Sequence, residues 1–133
     1  MILVDSNVPM YLIGAAHPKK AESQILLERL IAAGERLVTD AEVLQEILHR
    51  YTAIDRRDAI APAMRLTLDL VDDVFPIEKA DVLRAGEITQ NPTRLSARDA
   101  VHIAIMERQE IRKVLSFDSD FDRWPGLRRI HQI

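Results

Sequence analysis

The chain opens on Ile2-Leu3-Val4, an unbroken aliphatic run that stops on a carboxylate, Asp5, and this start constrains the fold more than any other stretch. Continuous β-branched and aliphatic residues suit a strand covered on both faces, as in a parallel sheet between helices. Ligand groups of open α/β sheets gather at the carboxyl ends of strands, so Asp5 stands at a site position. An aspartate ahead of Val8-Pro9-Met10 is also a good helix cap. Both readings stay open until other acids are placed beside it.

With 133 residues the chain fits one domain, expected to span 1–133, and can bury a substantial core. It has no cysteine, which excludes a disulfide framework, a thiolate zinc site and a thiol nucleophile, and suits a reducing cytosol. No charged lead precedes the first strand and no window is apolar enough to cross a bilayer, so a soluble cytoplasmic protein is expected, with no membrane association.

After Asp5, Val8 to Gly14 reads as a short helix, and His17-Pro18 opens a second that runs to Gly34 with Leu26, Leu27, Leu30 and Ile31 as its apolar face. Leu37-Val38-Thr39 is a brief strand, and Thr39 with Glu42 matches the capping box of a helix carrying Leu44, Ile47, Leu48 and Tyr51. Glu46 lies at the edge of that apolar stripe, where it is either a surface glutamate or an acid aimed at a cleft. Ala53 to Val71 reads as helical with a kink or restart at Pro62. Val74 to Ile77 forms an edge strand, Lys79 to Thr89 a helix, and Gln90 to Thr93 a turn.

Leu95 to Met106 is the second informative stretch. Ser96 is the expected N-cap, and between Ala100 and Met106 every residue except His102 is apolar, so the helix is buried nearly all round. Asp99 therefore enters the interior on the first turn, where it must be capped, paired or bound to a cation. His102, one turn on, reads as a core histidine satisfied by an acceptor rather than as a metal ligand. Lys113 to Phe117 is a further strand and also ends in acids, Asp118, Asp120 and Asp122, which fit an Asp-rich turn as well as a site. Leu127 to Ile133 is expected as a last strand with Arg128 and Arg129 exposed.

Alternation of strands and helices implies a parallel sheet sandwiched between helices, with Asp5 and Asp118 ending strands at the same edge. Should Asp5, Glu46, Asp99 and Asp118 share one cleft, two carboxylates about 4 Å apart repel by about 4 kcal/mol at an effective dielectric of 20. A divalent cation removes that cost, and oxygen-only ligands point to a hard ion such as Mg²⁺. Four acids committed to metal would also turn the net charge of −3 slightly positive, so the overall sign does not exclude a nucleic-acid substrate. Aromatics, at 5%, are too few to suggest a base-stacking platform.

In four stretches the chain resembles the PIN-domain ribonucleases, in particular toxins of the VapC type. These are Ile2 to Asn7 (ILVDSN), Glu42 to Tyr51 (EVLQEILHRY), Leu95 to Ala104 (LSARDAVHIA) and Val114 to Asp122 (VLSFDSDFD). The resemblance implies an α/β/α sandwich, Mg²⁺- or Mn²⁺-dependent endoribonuclease activity, a homodimer and inhibition by a small antitoxin protein. By motif it assigns Asp5, Glu46, Asp99 and Asp118 as the catalytic, metal-binding acids. It gives auxiliary places to Ser6, Asn7, Ser116 and Asp122, and none to Asp120. Arg94 and Arg98 are the expected contacts to the RNA backbone. Two other functions compete: a Mg²⁺-binding phosphoacceptor signalling domain and a catalytically silent protein-interaction module. The first would want an acid pair after the opening strand, where this chain has Asp5-Ser6.

Overall fold

Each residue of β1 (Ile2–Val4) is fully buried at the centre of the sheet, as its aliphatic run requires. The computed structural model describes residues 1–132. Successive β1 side chains point to opposite faces, and this alternation divides the core. Leu3 joins Val38 and Val114 in a cluster under α5 (Lys79–Thr89) and α6 (Ala97–Arg108). Ile2 and Val4 join Leu37 and Leu115 in a cluster under α1 (Asn7–Ile13) and α2 (Pro18–Ala32). The result is a three-layer α/β/α sandwich.

The sheet has five parallel strands in the order β3-β2-β1-β4-β5, with β2 at Leu37–Asp40, β3 at Asp73–Phe75, β4 at Lys113–Leu115 and β5 at Arg128–Ile130. Charged residues occupy the edges, Asp73 on β3 and Arg128 on β5, which discourages further strand pairing. The chain winds from β1 outward through β2 to β3, then returns to the other side of β1 as β4. The switch between these directions lies between β1 and β4, and ligands of such sheets bind outside the strand ends at that point.

Several local expectations change. Strand β2 runs one residue further and Asp40, not Thr39, caps α3 (Ala41–Ala53), its Oδ1 accepting from Val43 N–H at 2.9 Å. The Thr39 hydroxyl donates instead to Val4 O at 2.7 Å and ties β2 to β1. The buried stripe of α3 is Val43, Ile47 and Tyr51, leaving Leu48 exposed; on α2 Ile31 is exposed as well. The helix predicted across Ala53 to Val71 is broken before the proline: Asp55 takes a left-handed φ of 55° and Arg56 N–H donates to Tyr51 O at 2.7 Å, closing α3. A 3-10 turn follows, and Pro62 falls in the first turn of α4 (Ile60–Leu70), where its missing N–H costs nothing. Strand β5 ends at Ile130, and the part of the predicted strand at Ile133 lies outside the described residues. Arg129 is not exposed: its guanidinium donates to Ser116 O at 3.3 Å and pairs with Asp122. Among the described residues no helix is long and apolar enough to cross a membrane.

Candidate active site

Three strand ends and one helix start deliver carboxylates to the switch point: Asp5 after β1, Asp40 at the end of β2, Asp118 just beyond β4, and Asp99 on the first turn of α6. The Ser96 side chain caps α6 by accepting from Asp99 N–H at 3.2 Å, which fixes where the Asp99 side chain leaves the helix. Asp99 is only 8% exposed, and its carboxyl is pushed up to about 7 by burial first, then by the charges of Asp118 and Asp5. Asp99, Asp118 and Asp120 form one group whose candidate ligand atoms lie within 4.8 Å of one another. Asp118 Oδ1 accepts from Asp120 N–H at 2.9 Å and so holds the Asp-rich turn closed. Arg123 reaches Asp120 Oδ1 at 3.1 Å from a half-exposed position.

Asp5, Glu46 and His102 form the adjoining group, again within 4.8 Å. Asp5 does not cap α1: the cap position is Ser6, and the Asp5 carboxylate accepts from no backbone N–H within the helix. Its Oδ1 accepts from Ser6 N–H at 2.8 Å, and its Oδ2 accepts from the Ser116 hydroxyl at 2.5 Å and from Asn7 Nδ2 at 3.2 Å. Asn7 in turn donates to Ser116 Oγ at 3.2 Å and accepts from Phe117 N–H, binding α1 to the end of β4. Ser116 Oγ also accepts from Asp118 N–H at 3.0 Å, so the loop carrying Asp118 is tied to Asp5 through one hydroxyl. Burial holds the Asp5 carboxyl above its ordinary range despite the nearby His102.

Glu46 projects from α3 into this cleft. Its Oε2 accepts from the Ser6 hydroxyl at 2.6 Å and its Oε1 lies 2.5 Å from His102 Nε2. The other ring nitrogen of His102 lies 2.7 Å from Asp40 Oδ2. Burial opposes charge on Glu46, but the hydrogen bond and charge of His102 and the Ser6 hydroxyl outweigh it, and the carboxyl sits below its ordinary range. Burial likewise opposes charge on His102, and the two carboxylates overcome it and hold the imidazole well above its usual value. His102 is thus a core histidine satisfied by acceptors, as the sequence suggested, but both acceptors are acids at the cleft.

The predicted residues therefore divide. Asp5, Glu46, Asp99 and Asp118 converge, with Ser6, Asn7 and Ser116 hydrogen-bonded among them. Asp122 does not join them: both its oxygens are held by Arg129 at 2.9 Å. Its neighbour Asp120 takes the place beside Asp99. Asp40 reaches the site as well, through His102, and its sequence signal is the one Asp5 carries, an acid ending a strand. The exposed Arg94 and Arg98 flank the start of α6, and Arg98 lies near enough to Glu46 and Glu42 to favour their charged forms.

A set of carboxylate oxygens this crowded, with Asp99 pushed toward neutrality by its neighbours, fits a hard divalent cation. Comparison with known proteins points the same way. The PIN domain family model matches residues 2–127. A VapC ribonuclease of Mycobacterium bovis and ribonuclease VapC13 of Mycobacterium tuberculosis are each 56% identical over 130 residues, covering 98% of this chain and 99% of theirs. Among solved structures, Mycobacterium tuberculosis VapC20, a Sarcin-Ricin loop cleaving toxin, superposes with a TM-score of 0.74 at 23% identity over 92% of this chain and 93% of its own. Rickettsia felis VapBC2, bound to a DNA fragment from its promoter, gives 0.75 at 14% identity, covering 100% of both chains. With the strand-end acids, the parallel sandwich and relatives alike along nearly their whole length, this chain belongs to the PIN-domain family.

Proposed function

We propose that the chain is a divalent-metal-dependent endoribonuclease, the toxin of a type II toxin–antitoxin pair, working in the cytoplasm as a homodimer of single-domain chains of residues 1–133. The observation that carries this reading is the convergence of Asp5, Asp99, Asp118 and Asp120 at the switch point, with the Asp99 carboxyl raised to about 7 by burial and by its acidic neighbours. The naming of the 56%-identical relatives as ribonucleases supports RNA as substrate, and the VapBC assembly of the Rickettsia neighbour supports an antitoxin partner.

Asp99, Asp118 and Asp120, with Asp5 beside them, would hold the ion, Mg²⁺ or Mn²⁺. When bound, it supplies Lewis-acid neutralisation of the scissile phosphate and acidifies water. The protein's own part is positioning. Ser116, Asn7 and Ser6 fix the Asp5 carboxylate, Ser116 places the Asp118 loop, and the Ser96 cap aims Asp99 into the cleft. Arg94 and Arg98, exposed at the start of α6, bind the phosphate backbone and offset the acids' repulsion of RNA.

Incubation of purified protein with total cellular RNA in Mg²⁺, in Mn²⁺ and in EDTA, followed by mapping of new ends, tests the reading. Discrete cleavage abolished by EDTA is expected, and intact RNA in both metals overturns it. Calorimetric titration with Mg²⁺ separates a silent interaction module, which shows no binding that depends on Asp99.

A further inference from the structure

Aromatic residues are few in this chain, but the fold gathers two of them with a histidine beside the acid cleft. Phe117 lies in the chain between Ser116, whose hydroxyl donates to Asp5, and Asp118. Its N–H donates to Asn7 Oδ1 at 3.3 Å. Tyr11 follows Asn7 by one turn of α1, about 6 Å along the axis, and meets the Phe117 ring edge-on with centroids 5.6 Å apart. His17 stacks on Tyr11 at 4.9 Å with the ring planes 28° apart, and Lys19 Nζ stands 4.9 Å from the centre of the Phe117 ring. Phe117 packs against the cluster of Ile2, Val4 and Val8 on the α1 and α2 side of the sheet, whereas Ser116 and Asp118 turn toward Asp5 and Asp99. Rings and acids therefore flank one strip of backbone.

His17 is exposed, yet its ring is held in place. Its Nδ1 accepts from Lys19 N–H at 3.0 Å as the cap of α2, and one face lies on Tyr11, which leaves the other to solvent. A cap needs only an acceptor atom, which asparagine or serine supplies without a ring. What the ring adds is a flat surface already oriented, on which a base can stack at little cost in side-chain freedom. We propose that His17, backed by Tyr11 and Phe117 and with Lys19 beside them, is a stacking subsite for an unpaired nucleobase of the RNA strand. This rests on the RNA substrate proposed above. A strand running from Arg94 and Arg98 across the acids to His17 is held on both sides of the scissile bond. A base inside a duplex has both faces stacked already, so the subsite takes unpaired strands.

Ring ¹H–¹³C spectra of the wild-type protein in EDTA, titrated with a short unstructured oligoribonucleotide and with an abasic strand of the same length, test the subsite without cleavage. The base-bearing strand is expected to shift the His17 and Tyr11 ring signals, and the abasic strand to leave them in place. Rings unmoved by the base-bearing strand, or moved equally by both, overturn the proposal. His17→Asn keeps an acceptor at the cap and removes the ring. It is expected to lower affinity for the base-bearing strand about fivefold, the low end for one stacked base, and to leave affinity for the abasic strand unchanged. No loss for the base-bearing strand, or an equal loss for both, also overturns it. These measurements need neither metal nor turnover, so failure to cut RNA would sink the nuclease reading and leave the subsite standing. Cleavage of RNA by a protein whose rings stay unmoved would sink the subsite alone.

Discussion

Replacing Asp99 with asparagine should stabilise the metal-free protein above neutral pH while removing its response to metal. Asp99 has a carboxyl raised from 3.8 to about 7 by burial and by the charges of Asp118 and Asp5. Between those values the native state keeps a proton that the unfolded chain has lost, so stability falls as pH rises. The penalty is absent below about 3.8, grows toward about 7 and is complete above it. A shift of this size corresponds to about 4 kcal/mol at 1.36 kcal/mol per unit. Solvent at the mouth of the cleft screens part of that, leaving about 2 kcal/mol. Asparagine cannot ionise and keeps the backbone N–H that Ser96 accepts, so Asp99→Asn should recover most of it, raising Tm by about 6–10 °C at pH 8 in EDTA for a chain of this size. At pH 4, where the native Asp99 carboxyl holds its proton and is as neutral as asparagine, the two proteins should melt together. Saturating Mg²⁺ should raise the wild-type Tm and leave the variant unmoved, because a ligand stabilises only the state that binds it. Scanning calorimetry at the two pH values, with EDTA and with Mg²⁺, reads all of this. A variant no more stable than wild type at pH 8 in EDTA, or one that gains as much from Mg²⁺, would refute the claim that crowded carboxylates strain the empty cleft.

Arg98→Ala should weaken RNA binding and lower the slope of log affinity against log salt by roughly 0.7, the share of one phosphate contact to a single strand; an unchanged slope in filter binding removes Arg98 from the interface. Asp81, whose side chain is 2% exposed, takes two bonds at 2.9 Å from Arg108 and joins α5 to α6. Asp81→Ala should cost about 2 kcal/mol by removing two charge-assisted hydrogen bonds, Arg108 keeping Glu78 at 3.6 Å and Pro76 O at 3.0 Å, and denaturant unfolding within about 0.5 kcal/mol of wild type, the range of a neutral surface change, would contradict it. The Arg108 hydrogen bonds hold the Asp81 carboxyl below 3.8, so the pair's contribution is present above that value and is lost only as pH falls through the depressed one. Phe121 is fully buried with its ring 6.3 Å from that of His102, and Phe121→Ala should cost about 3–5 kcal/mol. Retention of the wild-type melting curve would show that this wall of the His102 pocket carries no packing energy.

The sequence by itself determined the layered architecture. The run Ile2-Leu3-Val4 could be buried only between two helical layers, and the helix at Lys79–Thr89 and the Ser96 cap were legible because they depend on residues within one turn. Asp5 and Asp118 were legible as candidate-site acids because a parallel sheet brings its strand ends to one edge. Tertiary structure decided which acid faces which partner. Asp40 could be chosen over Thr39 as the cap only once Thr39 had found Val4 O across the sheet. Asp120 and Asp122 are equivalent on paper, and Arg129 from β5 separates them by drawing Asp122 away. Above all, the state of Glu46 depends on His102, 56 positions distant, and His102 depends on Asp40, 62 positions distant. Hydrophobic periodicity is a local signal and survives in the sequence, whereas hydrogen bonds and charges act over a few ångströms between residues that only the folded chain makes neighbours.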